Sequence, residues 1–111
     1  MSTKPLYMAH DNLDDRREVH RLLTRLPPIL RLRWLKWCCA RCTLPNSNKH
    51  PVIGLGTTGA NAMEIFYDFW QLANQYNLDP RVGMDALVQV LHHYERGDFR
   101  RGSLVRVHLP R

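Results

Sequence analysis

The chain has 111 residues, 16 Lys plus Arg against 10 Asp plus Glu, and a formal net charge of +6. A chain of this mass buries about two-thirds of its unfolded surface, which leaves room for one core and excludes a two-domain enzyme or a deep cofactor barrel. The hydrophobic fraction of 44% and the charged fraction of 23% argue against wholesale disorder and against a coiled-coil rod.

The N-terminus and the cysteines indicate a cytoplasmic protein without a membrane partner. Residues 1–10 are expected to be flexible, and they carry one Lys but no apolar stretch of the kind that a secretory signal needs. The longest stretch without charge, His50 to Met63, is interrupted by Gly and Pro, so no bilayer-spanning segment of about 20 apolar residues is expected. The three cysteines cluster, and an odd, clustered set favours reduced thiols over a disulfide framework. They are Cys38, Cys39 and Cys42.

The positive charge is concentrated in the first half of the chain. Residues 1–50 hold ten Lys or Arg and four acids, a net +6, whereas residues 51–111 hold six of each. Such an asymmetry indicates an anionic partner for the charged half. The sequence divides into a flexible N-terminus (1–10), a basic helical half (11–42), a loop (43–60), a neutral helical core pair (61–97) and a basic tail (98–111).

The first predicted helix runs from Asn12 to Leu26. Valine and leucine recur there at three- and four-residue spacing, and the proline pair that follows stops the helix. Asp11 or Asn12 is expected to provide the N-cap. On a helical wheel, three arginines form one stripe opposite the leucines, namely Arg17, Arg21 and Arg25.

The second predicted helix runs from Ile29 to Cys42. Pro27 and Pro28 suit its first turn, and its leucines and cysteines share a face on which Arg31 intrudes. The alternation of residues 30–34 also fits a strand, so a strand is the alternative for this segment.

The third and fourth predicted helices form a neutral pair after the loop at 43–60. The third runs from Asn61 to about Asn77, with Asn61 as N-cap and Glu64 in the capping-box position. Its apolar residues cover well over half of the wheel, so other elements or a partner protein must surround it. The fourth runs from Pro80 to about Arg96, between an N-cap at Asp79 and a C-terminal stop at Gly97.

The tail ends in an alternating segment, Leu104 to Leu109, that is typical of a short strand. A lone strand is unstable without a partner, so a frayed segment is the alternative to a paired strand. The sequence therefore predicts a mainly α fold, a small single-domain bundle of about four helices with a long central loop and a short C-terminal extended segment.

Two motifs resemble ligand sites but are weak. Gly54, Gly56 and Gly59 have the spacing of a dinucleotide-binding loop before a helix, yet the chain lacks the two βαβ halves of that fold. An incidental phosphate contact at the following helix N-terminus remains physically reasonable. His92 and His93 are adjacent, so they diverge on a helix, and we interpret them as solvated residues near its C-terminus.

The cysteine cluster suggests a zinc site as a further alternative. Cys39 and Cys42 with His50 supply three soft ligands at plausible spacing. Strong zinc patterns have two separated ligand pairs, whereas this chain has one, so buried apolar cysteines are the preferred interpretation. No pair of carboxylates is isolated in an apolar setting, and no second motif marks a base for a nucleophilic cysteine. We therefore expect no metal, no cofactor and no enzymatic activity.

The remaining candidate site is a set of cations interleaved with tryptophans. Guanidinium groups bind phosphates in bidentate fashion, and aromatic planes stack on unpaired bases, so this composition favours DNA or RNA. The alternative is a protein–protein adaptor or inhibitor, or a small subunit of a larger assembly. In that role the chain would bind an acidic partner through its own aromatic helix surfaces. The predicted nucleic-acid-binding residues are Arg17, Arg21, Arg25, Arg31, Arg33, Trp34, Lys36, Trp37, Arg41, Arg100 and Arg101.

Overall fold

The computed structural model describes residues 12–42, 61–100 and 105–108. Within these ranges the chain forms four α-helices, which confirms the predicted mainly α bundle. The predicted loop at 43–60 lies outside the described residues. The helices are α1 (Leu13–Leu23), α2 (Pro28–Cys42), α3 (Ala62–Tyr76) and α4 (Pro80–Glu95).

Side-chain caps set where three of the helices begin. The Asn12 side-chain oxygen accepts from the backbone N–H groups of Asp14 at 2.8 Å and Asp15 at 3.2 Å. Asn61 caps α3 and Asp79 caps α4 in the same manner. These contacts satisfy N–H groups that have no partner within the helix, so the predicted starts are confirmed.

The first helix ends one turn earlier than predicted. After Leu23, the backbone N–H groups of Arg25 and Leu26 each donate to the carbonyl three residues back, both at 3.1 Å. The residue before a proline avoids helical dihedral angles, and Leu26 precedes Pro27. The last turn therefore tightens and the chain leaves the helix before the proline pair.

The end of α4 is fixed by Gly97, as the sequence predicts. Gly97 has a φ of +78°, which a residue without Cβ adopts at little cost. Its N–H donates to the carbonyl of Tyr94 at 3.0 Å, and the N–H of Asp98 donates to that of His93 at 2.9 Å. This pair of hydrogen bonds is a Schellman motif.

The α3 and α4 helices carry a net charge of −3, from four acids against Arg81, so the pair is acidic rather than neutral as predicted. Helix α1 packs against α3 and α4, and α2 packs against the same two helices. The core between them is aromatic: the ring centroid of Phe69 lies 4.8 Å from that of Trp34 and 5.0 Å from that of Trp70. The indole N–H of Trp34 donates to the carbonyl of Gly83 at 2.8 Å, which ties α2 to α4 inside the core.

The predicted strand at 104–109 is wrong for the residues that are described. Residues 105–108 form neither helix nor strand. The Gln89 side chain on α4 instead binds the backbone of His108 in both directions, with its NH2 donating to the carbonyl at 2.5 Å and its oxygen accepting from the N–H at 2.8 Å. No strand lies beside the segment among the described residues, so a side-chain amide takes the place of a pairing backbone.

Candidate nucleic-acid interface

Helix α2 carries the positive charge of the described helices. It holds three Arg and one Lys and no acidic residue. Helix α1 is neutral, since its three arginines are balanced by Asp14, Asp15 and Glu18. The charge excess that the sequence assigns to a whole half of the chain is therefore focused on one helix.

The exposed side of α2 groups three cations around one tryptophan. Arg33, Lys36 and Arg41 are exposed, and Trp37 is half-buried among them. The spacing of three, four and eight residues from Arg33 places all of them on one face of the helix. The Arg41 guanidinium lies over the Trp37 ring, 5.5 Å from its centroid, which is a cation–π contact that orients the guanidinium. We call Arg33, Lys36, Trp37 and Arg41 the α2 face.

Two predicted residues of α2 have structural roles instead. Trp34 is 1% exposed because it lies on the inner side of the helix. Its ring is closed to a nucleobase, so its prediction as a stacking platform is wrong. Arg31 turns back toward α1, and its Nε donates to the carbonyls of Leu23 and Leu26, both at 2.9 Å. Arg31 thus satisfies carbonyls at the C-terminal end of α1, and partial burial lowers the pKa of its guanidinium.

The predicted arginine stripe of α1 does not join the α2 face. Arg21 binds Glu18 through two hydrogen bonds of 3.1 and 2.7 Å, and these contacts lower the pKa of Glu18 and raise that of Arg21. Arg25 forms an ion pair with Glu95 of α4. Arg17 is exposed and borders a groove on the opposite side of the bundle from α2.

That groove contains two basic residues that sequence reasoning missed. It lies between α1 and α3, has a volume of about 610 Å³, and includes Arg16 and His20. The Arg16 guanidinium lies 5.7 Å from the Phe66 ring centroid and 5.6 Å from that of Trp70, and His20 meets Phe66 edge to face at 5.4 Å. The spacing of Arg16 and His20, one turn apart, was the available signal. We call this site the α1–α3 groove.

An apolar pocket adjoins the α2 face. It has a volume of about 310 Å³ and lies between α2, α4 and C-terminal residues. Arg33 and Lys36 border it, and the rest of its described lining is apolar. Those apolar residues are Leu30, Trp34, Trp37, Val90, Phe99, Val105 and Val107.

The structure describes only part of the basic tail. Arg100 is exposed, and its Nε donates to the carbonyl of Gly97 at 3.5 Å. Arg101 lies outside the described residues. Neither prediction is tested by the geometry of the helices.

The cysteines are buried on the inner side of α2. Burial raises the pKa of the Cys38 thiol well above its usual value and raises that of Cys39 to about 11, and the pKa of Cys42 is also raised. A metal ligand must be a thiolate, so burial opposes the role. No group of three His, Cys, Asp or Glu within the described ranges is placed to hold a metal ion, and His50 lies outside those ranges.

The three thiols should resist labelling in the folded protein. Cys39 and Cys42 are 7% exposed and Cys38 is fully buried, and the thiolate rather than the thiol reacts. At neutral pH we expect Ellman's reagent to label the native chain slowly and all three cysteines promptly in denaturant. Prompt labelling of Cys39 in the native state would contradict the buried, protonated assignment.

Of the remaining motifs, the structure describes the histidine pair but not the glycine-rich segment. The glycine-rich motif at 54–59 lies outside the described residues. His92 is exposed as predicted, but His93 is half-buried and its Nδ1 lies 2.6 Å from an oxygen of Asp98. The hydrogen bond from His93, with a second from Arg96, lowers the pKa of Asp98. His93 therefore fastens the C-terminal cap of α4 and is not merely solvated.

Fold and surface together define a small all-helical domain with one strongly basic helix face. No protein-family model, curated protein or solved structure matches the chain. None of the described helices is long and apolar enough to cross a membrane.

Proposed function

We propose that this protein is a non-enzymatic nucleic-acid-binding protein that contacts DNA or RNA phosphates through the α2 face. The observation that carries the proposal is the net charge of +4 on α2, from three Arg and one Lys with no acid. Arg33, Lys36 and Arg41 project from it into solvent. Its three free cysteines fit a cytoplasmic location.

The dimensions of the α2 face suit a nucleic-acid strand. Arg33 and Arg41 are eight residues apart, which is ~12 Å along a helix. A strand of B-DNA presents one phosphate per ~3.4 Å of axis, so three cations over this span match a short run of phosphates. Trp37 between them offers part of an aromatic ring to a base. Phosphate contacts fix position without reading sequence.

Nothing on the α2 helix itself competes for these cations. Arg33 and Lys36 have no hydrogen bond or ion pair with any described residue. Segments 1–11, 43–60, 101–104 and 109–111 contain a single acid, Asp11, so they bring little negative charge to neutralise the face. Since no described residue pairs with Arg33 or Lys36, these two cations are open to solvent ions or to an anionic partner, and released counterions would drive binding.

Charge reversal on α2 should remove nucleic-acid binding. Measured by fluorescence anisotropy with single-stranded and duplex oligonucleotides at low salt, the affinity of the wild-type chain should fall with salt with a log–log slope of about −2 to −3 for three phosphate contacts. The Arg33→Glu/Arg41→Glu variant should bind at least ~100-fold more weakly, since two phosphate contacts become repulsions.

A matched double variant separates local contact from net charge. Arg17→Glu/Arg81→Glu changes the net charge by the same amount, and both residues are exposed on other helices. It should keep most of the wild-type affinity. Equal losses in the two double variants, or no binding by the wild-type chain at low salt, would refute the proposal.

A protein-docking function is the second candidate, and the α1–α3 groove favours it. Three large apolar side chains are exposed there: Leu13 at 58%, Met63 at 47% and Tyr67 at 57%. Beside them lie Arg16, Arg17, Arg21 and His20. Phosphates do not bury aliphatic side chains, whereas an acidic amphipathic segment of a partner protein does. Oligonucleotide binding that is lost with Arg17→Glu and kept with Arg33→Glu would instead assign the nucleic acid to this groove.

A further inference from the structure

The pocket beside the α2 face is closed on one side by the C-terminal residues. Val107 and Phe99 are half-buried against the core, and the two hydrogen bonds between Gln89 and His108 hold the segment on α4. Val90 of α4 and the tryptophans of α2 form the opposite walls. The pocket is therefore a cavity between three elements, and its volume of about 310 Å³ is at the lower end of the ~300–1,000 Å³ typical of small-molecule sites.

Chemically the pocket is divided into an apolar interior and a cationic rim. Among its described lining residues, the polar functional groups belong to the Arg33 and Lys36 side chains and to the indole N–H groups. The indole N–H of Trp34 is already donated to the carbonyl of Gly83. Arg33 and Lys36 lie one turn apart, both exposed, where their charged ends can reach a single anion at the mouth.

We propose that this pocket binds a small amphipathic anion, a carboxylate attached to an apolar body the size of a medium-chain fatty acid. The apolar body displaces water from Val90, Phe99 and Val107, a gain that scales with the buried apolar area. The carboxylate accepts charge-assisted hydrogen bonds from Arg33 and Lys36. A nucleobase fits less well because burial of its polar edges without partners is costly.

Occupancy of the pocket would regulate the α2 face. Arg33 and Lys36 are two of the three exposed cations on that face, so a carboxylate bound to them excludes phosphates. This coupling rests on the proposed nucleic-acid function, whereas the binding of the anion does not. Nucleic-acid affinity should then fall as the anion saturates the pocket.

The first experiment measures decanoate binding to the full chain. Two of the three tryptophans, Trp34 and Trp37, line the pocket, so intrinsic fluorescence reports occupancy, and calorimetry gives the stoichiometry. Decanoate should bind saturably at one site. Decan-1-ol, with the same tail and no charge, should bind about tenfold more weakly, while decylamine and acetate should show no saturable binding.

Variants then assign the contacts. Arg33→Gln/Lys36→Gln should weaken decanoate binding about tenfold or more, and Arg17→Gln, on the far side of the bundle, should leave it unchanged. Val105→Trp fills the pocket from the C-terminal side, and circular dichroism verifies that the variant remains helical. It should abolish decanoate binding while it leaves oligonucleotide affinity intact.

The outcomes distinguish the two proposals. Three results would overturn the anion site, whatever the oligonucleotide result. They are equal affinity for decanoate and decan-1-ol, undiminished decanoate binding by Arg33→Gln/Lys36→Gln, and no saturable decanoate binding. Decanoate binding without any oligonucleotide binding overturns the proposed function and supports the anion site. If both ligands bind but decanoate does not displace the oligonucleotide, the regulatory coupling is overturned.

Discussion

Replacement of Trp34 by alanine should lower the free energy of unfolding by about 3–5 kcal/mol, the range for truncation of a large aromatic residue in a core. Trp34 is 1% exposed, packs on Phe69 and donates its indole N–H to the carbonyl of Gly83. Its loss leaves a cavity between α2, α3 and α4 and removes one of the hydrogen bonds to a buried helix carbonyl. Urea unfolding followed by far-UV circular dichroism measures the change, with the slope of the unfolding free energy against urea as a test of two-state behaviour.

Two control variants test this prediction: one separates the packing of Trp34 from its hydrogen bond, and the other compares Trp34 with the half-buried Trp37. Trp34→Phe keeps an aromatic ring and removes one hydrogen bond, worth about 0.5–1.5 kcal/mol, and it leaves a smaller cavity than alanine does, so it should cost less than Trp34→Ala. Trp37→Ala, on the same helix and half-buried, should cost less than Trp34→Ala and should weaken nucleic-acid binding. A loss of stability at Trp37 equal to that at Trp34 would contradict the assignment of Trp34 to the core and Trp37 to the surface.

The helices were predictable because their limits depend on local chemistry. The side chains of Asn12, Asn61 and Asp79 cap the helices that they precede, and Gly97 ends α4 through its positive φ. The end of the first helix was predicted at Leu26 but lies at Leu23, because the proline pair affects the backbone further back along the chain than was assumed. Such contacts can be read from sequence since they require no knowledge of tertiary packing.

The candidate site was predictable only in part, because tertiary contacts select among the cations. Arg25 pairs with Glu95, which lies on another helix and far along the chain. Arg31 donates to two carbonyls at the end of α1 and is therefore turned away from solvent. Arg33, Lys36 and Arg41 stay exposed. Sequence reasoning assigned the charge to both helices of the 11–42 half, and it could not tell that α1 balances its own arginines or which cations of α2 the fold would use for itself.

The pairing of helix faces also explains why Arg16 and His20 were missed. Periodicity shows which residues share a face, but it does not show which second helix lies beside that face. Phe66 and Trp70 of α3 give Arg16 its aromatic surroundings, and the two segments are separated in the sequence by α2 and by residues 43–60. Arg16 belongs to the α1–α3 groove because α3 lies beside it, and the local sequence pattern around Arg16 does not reveal that contact.

Gly83→Ala should destabilise the protein, although the same change in an exposed helix stabilises it by about 1 kcal/mol. A Cβ at Gly83 would lie 2.5 Å from Cε1 and 2.8 Å from Cζ of Phe69, well inside the ~3.5–4.0 Å of carbon–carbon contact. The Phe69 ring is fully buried between Trp34 and Trp70 and has little room to move aside. The strain of overpacking should outweigh the gain in helix propensity and leave a net loss of about 1–3 kcal/mol, measured by urea unfolding.

A double-mutant cycle with Phe69→Leu tests the cause. A leucine removes the ring carbons that a Cβ at Gly83 would meet, so in that background Gly83→Ala should cost much less or become stabilising through helix propensity. Both partners of the Trp34 hydrogen bond to the Gly83 carbonyl are retained in this design, because the substitutions alter only the side chains of residues 69 and 83. If Gly83→Ala costs the same in both backgrounds, the contact with the Phe69 ring is not what requires glycine at this position.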